Sequence, residues 1–227
     1  WPRCAKSRTK PTGSFATPAS FWVNRSSYSL ITRSKDLAGN YSAIYSTVSF
    51  TYDTSFPLSW ISLPSSSVIS GLSQISGTAS DTGNGVVRTV NVAVKRLSDA
   101  TPTWLSAAGN FDVTQANPNW ISTSAFTPGN PITWRLTTLA NDKLESGTSY
   151  FITSKAVDDT GNEEELGNGN QGLRASTFTF DVDLPTAVIT MPAHLSYLKA
   201  GLASVISGTA ADWVRNSNSA NYVNQAD

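Results

Sequence analysis

The residues equipped to do chemistry in this chain are oxygen-bearing side chains beside turns. Asp53 follows Phe50-Thr-Tyr, and Asp81 closes the run Ile75-Ser-Gly-Thr-Ala-Ser-Asp81. Asp158, Asp159 and Asn162 share the turn Asp158-Asp-Thr-Gly-Asn162. Carboxylate and amide oxygens suit a hard cation such as Ca²⁺, which takes about six to eight oxygens at roughly 2.3–2.6 Å. Carboxylates gathered together repel and resist ionisation unless a cation joins them. Turn chemistry explains the same residues differently, because Asp beside Gly and Asn commonly caps its own turn. The chain has no EF-hand loop and no glycine-rich nonapeptide, so both readings stand.

Other chemistry has little to work with. One histidine, His194, and one cysteine, Cys4, leave no set for a catalytic relay or a zinc site. His194 follows Pro192 and reads as a surface residue. Cys4 has no neighbouring His, and no intrachain disulfide can form. Serines abound without a Gly-x-Ser-x-Gly elbow. Glu163-Glu-Glu165 reads as a solvated loop. A glycosidase pair would need a cleft with carboxylates about 5–10 Å apart, and nothing implies one. Trp104, Trp120 and Trp134 could stack on sugar rings or pack a core. Trp134 sits in an alternating run and reads as core. Trp120, after Asn117-Pro-Asn119, is the better carbohydrate-binding candidate.

Composition narrows the classes further. Hydrophobic residues make up 39% and charged residues 14%, with formal net charge zero. Without a basic run, nothing would hold a phosphate backbone, so nucleic acid is not an expected partner. No apolar stretch is long enough for a membrane-spanning helix, and Trp1–Lys10 lacks the apolar core of a signal peptide. Ser and Thr fill about a quarter of the chain, which suits an all-β protein. Seven Trp, seven Tyr and nine Phe can build a core, unlike a disordered Ser/Thr linker.

The elements that must position these residues repeat along the chain. Tyr28-Ser-Leu-Ile-Thr-Arg-Ser-Lys-Asp36-Leu-Ala-Gly39-Asn40 returns as Tyr150 to Asn162, an offset of 122. Phe50-Thr-Tyr-Asp53 with Pro57 returns as Phe178-Thr-Phe-Asp181 with Pro185, at 128. Ile75-Ser-Gly-Thr-Ala-Ser-Asp81 returns as Ile206 to Asp212, at 131. The first growth in offset falls at Glu163–Ala175, where Gly167-Asn-Gly-Asn-Gln-Gly172 reads as a loop insertion. A period near 125 residues is a domain rather than a solenoid unit. The chain is therefore expected to hold the end of one unit (1–52), one complete unit (53–180) and the start of a third (181–227). The two partial pieces should be less ordered than the complete one.

Alternation marks the strands. Val90, Val92 and Val94 alternate with Asn91 and Ala93, and Ile132, Trp134 and Leu136 with Thr133 and Arg135. Tyr150, Ile152, Ser154 and Ala156 share one face. Gly- and Asn-rich turns separate these runs, and no helical periodicity stands out, so the fold expected is an all-β Greek-key sandwich. Leu144-Glu-Ser-Gly147-Thr-Ser-Tyr150 resembles a tyrosine corner, in which a Tyr hydroxyl bonds to upstream backbone; a buried strand tyrosine is the plainer reading. The first unit keeps Tyr28 but has Trp22 and Arg25 where Leu144 and Gly147 stand, which puts its corner in question.

This order of motifs resembles the bacterial immunoglobulin-like domains repeated in large surface and adhesin-type proteins. It runs from Phe-Thr-Tyr-Asp…Pro through Ile-Ser-Gly-Thr-Ala-Ser-Asp and a Val-rich strand to Tyr…Asp-x-x-Gly-Asn. The resemblance implies a non-enzymatic array, extracellular or on the cell surface, with neighbouring repeats and a host protein, matrix or glycan as partners. It also implies calcium at domain junctions, with no other cofactor required. In that topology the chain entry and the B–C and F–G loops share one pole. Asp53, Asp81, Asp158, Asp159 and Asn162 would then converge there as a calcium site stiffening the junction. The alternative function is a carbohydrate-binding or accessory module of a secreted enzyme, with Trp120 as its stacking residue.

Overall fold

The computed structural model describes residues 14–82, 85–97, 101, 103–124, 129–139, 141–165, 174–199, 201 and 205–212. Cys4 and the expected insertion at 167–172 lie outside the described residues. The chain divides into two compact units, Trp1–Thr54 and Ser55–Asp227. Among the described residues the regular elements are strands, apart from two 3₁₀ turns.

In the first unit, β1 (Ser26–Thr32) and β2 (Ser46–Tyr52) form an antiparallel pair running from Ser26 opposite Tyr52 to Thr32 opposite Ser46. Trp22 packs edge-on against Tyr28, and Tyr28 stacks on Phe50 at 5.6 Å between ring centroids. Such aromatic pairs contribute about 0.5–1.5 kcal/mol beyond their buried area.

The second unit continues with β3 (Pro57–Leu63), β4 (Val68–Ile69), β5 (Ile75–Asp81), β6 (Val87–Arg96), β7 (Thr103–Leu105), β8 (Phe111–Val113) and β9 (Ile121–Ser122). It ends with β10 (Ile132–Leu136), β11 (Thr148–Asp158), β12 (Ala175–Phe180), β13 (Thr186–Met191) and β14 (Ser207–Ala211). One sheet has the order β10-β5-β3. The other runs β4-β12-β11-β6-β7-β8, with β9 beside β6, and β4 is parallel to β12. β13 and β14 pair only with each other among the described strands.

The alternation in sequence becomes the core. Ile75, Val90, Val92, Val94, Ile132, Trp134, Leu136, Tyr150, Ile152 and Phe178 point inward and form one buried cluster. Full burial of one such aliphatic or Phe side chain contributes roughly 1.5–3 kcal/mol. β3 lies across β11 and β12, so the chain entering the unit closes one side of the core.

Gly77 sits where strands approach too closely for a side chain. A Cβ there would lie 1.8 Å from the Trp60 carbonyl oxygen and 2.4 Å from the Trp134 ring. The indole lies over that gap, its N–H donating to the Thr78 carbonyl at 3.0 Å.

Segments matched in sequence also match in geometry. Tyr150 Oη accepts a hydrogen bond from the Glu145 N–H at 2.9 Å, and Tyr28 Oη accepts from the Val23 N–H at 2.7 Å. Gly147 has φ 76° and donates its N–H to Phe180 O. Arg25 has φ 65° and donates to Tyr52 O, so the tyrosine contact forms in the first unit despite its departure from the motif. Leu144, just upstream, is buried. β13–β14 keeps the register of β3–β5 at offsets 128 and 131. Even the irregularity between Ile61 and Leu63 recurs between Ile189 and Met191.

Candidate metal centre

Asp81 is the last residue of β5 and Asp158 the last of β11, on strands in opposite sheets. Strand alternation turns both inward, and both are buried. One carboxylate oxygen of each lies within 4.8 Å of the other. Asn130 holds Asp81 in place from both sides. Its Oδ1 accepts the Asp81 N–H at 3.0 Å, and its Nδ2 donates to the Asp81 carbonyl at 2.8 Å.

Asp158 organises its own turn. Oδ1 accepts from the N–H groups of Thr160 and Asn162 at 2.9 and 2.8 Å, and Oδ2 accepts from Asn162 Nδ2 at 2.8 Å. Asn162 thus presents its amide nitrogen to Asp158. The next residue, Asp159, is exposed and bonds outward, its Oδ1 accepting the Val86 N–H at 3.1 Å. Asp53, also buried, follows β2 in the segment leading to β3. The five sequence candidates therefore separate. Asp81 and Asp158 come together, while Asp159 and Asn162 serve the turn.

The first unit repeats the turn. Asp36 accepts from Asn40 N–H and Nδ2 at 2.8 and 2.9 Å. The side-chain hydrogen bond from Asn40, with further backbone donors, holds the Asp36 carboxyl below its usual range.

A second polar group lies at the β3–β11 contact. Glu164, expected in a solvated loop, is buried, which corrects that expectation. Its carboxylate accepts from the Ser59 N–H and Ala156 N–H at 3.0 Å each and from the Ser59 hydroxyl. Ser59 Oγ also lies 2.8 Å from Ser154 Oγ, tying the two sheets together. Arg174 Nη1 stands 3.8 Å from Glu164 Oε1, and both side chains are buried. The outer acid, Glu163, is exposed and pairs with Lys155 at 2.7 Å. Nothing in three consecutive glutamates marks the middle one; only the strand pairing that follows selects it. Asn130 stands in the run Pro128-Gly-Asn-Pro131, which carries only a turn signal in the sequence.

Among the described residues no tryptophan is exposed. Trp104 and Trp134 are buried, and Trp120 is half-buried with Lys155 Nζ 5.2 Å from its ring centroid. A groove of about 530 Å³ runs along β3, β5 and β10. Ser, Thr and Gln side chains line it with Arg135, without a carboxylate or a histidine. Among the described residues no helix is long and apolar enough to cross a membrane. Scans against protein-family models and curated proteins find no match to this chain.

Proposed function

We propose that this chain is a non-catalytic segment of immunoglobulin-like repeats from a large extracellular or cell-surface bacterial protein, with a structural or adhesive role. The observation that carries this reading is geometric repetition. The strand pair bearing Tyr28 and the one bearing Tyr150 share register, tyrosine contact and terminal Asp-x-x-Gly-Asn turn. The two sheet orders, with β4 parallel to β12, agree with an immunoglobulin-like arrangement. A carbohydrate-binding role has less support, since no described tryptophan is exposed.

The reading includes Ca²⁺ at the pole. Asp81 and Asp158 are buried carboxylates with one oxygen of each within 4.8 Å of the other, close enough to share one cation. The donor set is all oxygen, the chemistry that hard divalent cations select. Backbone carbonyls and water would complete the coordination, and the ion would fasten the ends of β5 and β11 to each other.

Calorimetric titration of the chelator-treated chain with CaCl₂ tests this. Saturation at 100 times the dissociation constant stabilises by about 2.7 kcal/mol. That raises the melting temperature by roughly 5–11 °C. Asp81→Asn should abolish most of the heat. Absence of both heat and a melting shift in the wild-type chain would reject the calcium site.

A further inference from the structure

With no exposed tryptophan among the described residues, stacking is a poor route to a sugar. A hydrogen-bonding route is open on the outer face of β3, β5 and β10. We propose that the groove there binds an acidic polysaccharide, with Arg135 pairing a uronate carboxylate while Ser, Thr and Gln side chains bond the sugar hydroxyls. This gives the adhesive reading a ligand class and rests on that reading for its setting; the chemistry of the groove does not depend on calcium.

Strand alternation builds the site. Ile75, Gly77 and Ala79 of β5 are buried, so Ser76 and Thr78 turn outward. On β10, Ile132, Trp134 and Leu136 are buried, which leaves Thr133 and Arg135 exposed on that same outer face. The register sets Thr133 opposite Thr78 and Arg135 opposite Ser76. Side chains directly opposed in this way stand about 4.5–5.5 Å apart at Cβ. Gln74 and Ser62 continue the lining.

The backbone under Arg135 is fixed from both sides. β10 pairs with β5 along its length, and on its other side Ser124 donates its N–H at 2.9 Å and its hydroxyl at 3.0 Å to the Arg135 carbonyl. Beneath, the Trp134 indole fills the space beside Gly77. Polar groups carried on paired strands over a packed floor hold their positions before a ligand arrives, which lowers the cost of ordering them.

These groups are uncommitted within the protein. Arg96, Lys155 and Arg174 each stand beside a carboxylate, whereas Arg135 has no ion pair among the described residues and no carboxylate lines its groove. The side chains of Gln74, Ser76, Thr78 and Thr133 likewise make no hydrogen bond among the described residues. An unpaired guanidinium selects a planar carboxylate, which it can hold through two parallel bonds. Hydroxyls and an amide both donate and accept, which suits a ligand that also carries hydroxyls. The apolar lining is Ile132 and Trp134, both buried, so a lipid or an apolar peptide side chain finds little surface to cover. A sugar acid puts carboxylate and hydroxyls on one ring, while an acidic peptide brings the carboxylate alone. At about 530 Å³ the groove lies within the ordinary range of ligand sites, roughly 300–1,000 Å³.

Calorimetric titration of the full chain with tetragalacturonate tests this, with EDTA present so that calcium takes no part. The wild type should bind saturably, and more weakly as NaCl screens the charge pair. Arg135→Gln should lower the affinity about ten- to a hundredfold. Fully methyl-esterified tetragalacturonate should bind the wild type as poorly. Thr78→Val should weaken binding through the lost hydroxyl, with a melting curve like the wild type's showing that the variant folds. ¹H–¹⁵N spectra of the wild type locate the site without any substitution: the shifts should gather at the amides of Ser76, Gly77, Thr78, Thr133 and Arg135. No saturable binding, shifts gathered elsewhere, equal binding of the ester, or tetraglutamate binding as tightly as the sugar would overturn the proposal. Any of these removes the ligand class alone, since the calcium titration and the repeat geometry are read without it.

Discussion

Gly77→Ala places the demand for close strand approach under direct test. The added methyl carbon would lie 1.8 Å from Trp60 O and 2.4 and 2.7 Å from two Trp134 ring carbons. Ordinary carbon contacts need about 3.5 Å or more, so β3 and the indole must both retreat by more than an ångström. Gly77 pairs with Ile61 on one side and Trp134 on the other, so no free edge absorbs the shift. Moving the indole also strains its hydrogen bond to Thr78 O. Overpacking of a filled site costs about 1–3 kcal/mol, and loss of the indole bond adds about 1 kcal/mol. We expect a destabilisation of about 3 kcal/mol, lowering the melting temperature by roughly 6–12 °C. Thermal and urea unfolding followed by near-UV circular dichroism would measure it. Gly208→Ala is the matched control, because its Cβ would meet Val188 O at 2.6 Å in a hairpin outside the middle core. A Gly77→Ala chain melting with the wild type would refute the packing argument.

Further substitutions separate the other contacts. Tyr150→Phe removes the acceptor of a part-buried N–H and should cost about 1–2 kcal/mol in urea unfolding of the second unit. Glu164→Ala leaves the Arg174 guanidinium buried without its carboxylate and should cost about 3–5 kcal/mol, measured the same way. Arg25→Gly relieves a left-handed backbone that a side chain disfavours, partly offset by a freer unfolded chain. A net gain of about 0.5–1 kcal/mol should slow amide exchange across β1–β2 by roughly two- to five-fold.

Much of the architecture could be read from the sequence because alternation is enforced by burial. Val90, Val92, Val94, Ile132, Trp134 and Tyr150 face inward because every second side chain of a strand meets the opposite sheet. The site was legible only in part. Asp81 and Asp158 follow from strand ends meeting at one pole. The pattern could not show that Asp159, one residue later, turns to Val86 instead. Glu164 escaped for a different reason. Its burial depends on Ser59, more than a hundred residues earlier, and on Arg174, both fixed by tertiary contact rather than local pattern. In the first unit, Arg25 concealed the tyrosine contact because side-chain identity changed while the backbone conformation did not.

The repeat-unit reading stands or falls on whether the middle segment carries its own core. Excision of residues 53–180 and comparison of its ¹H–¹⁵N spectrum with that of the full chain would settle this. The account predicts a dispersed spectrum whose core amides, Val92, Ile152 and Phe178 among them, overlay those of the full chain, with one cooperative melt. Collapsed, unfolded resonances from the excised segment would contradict it.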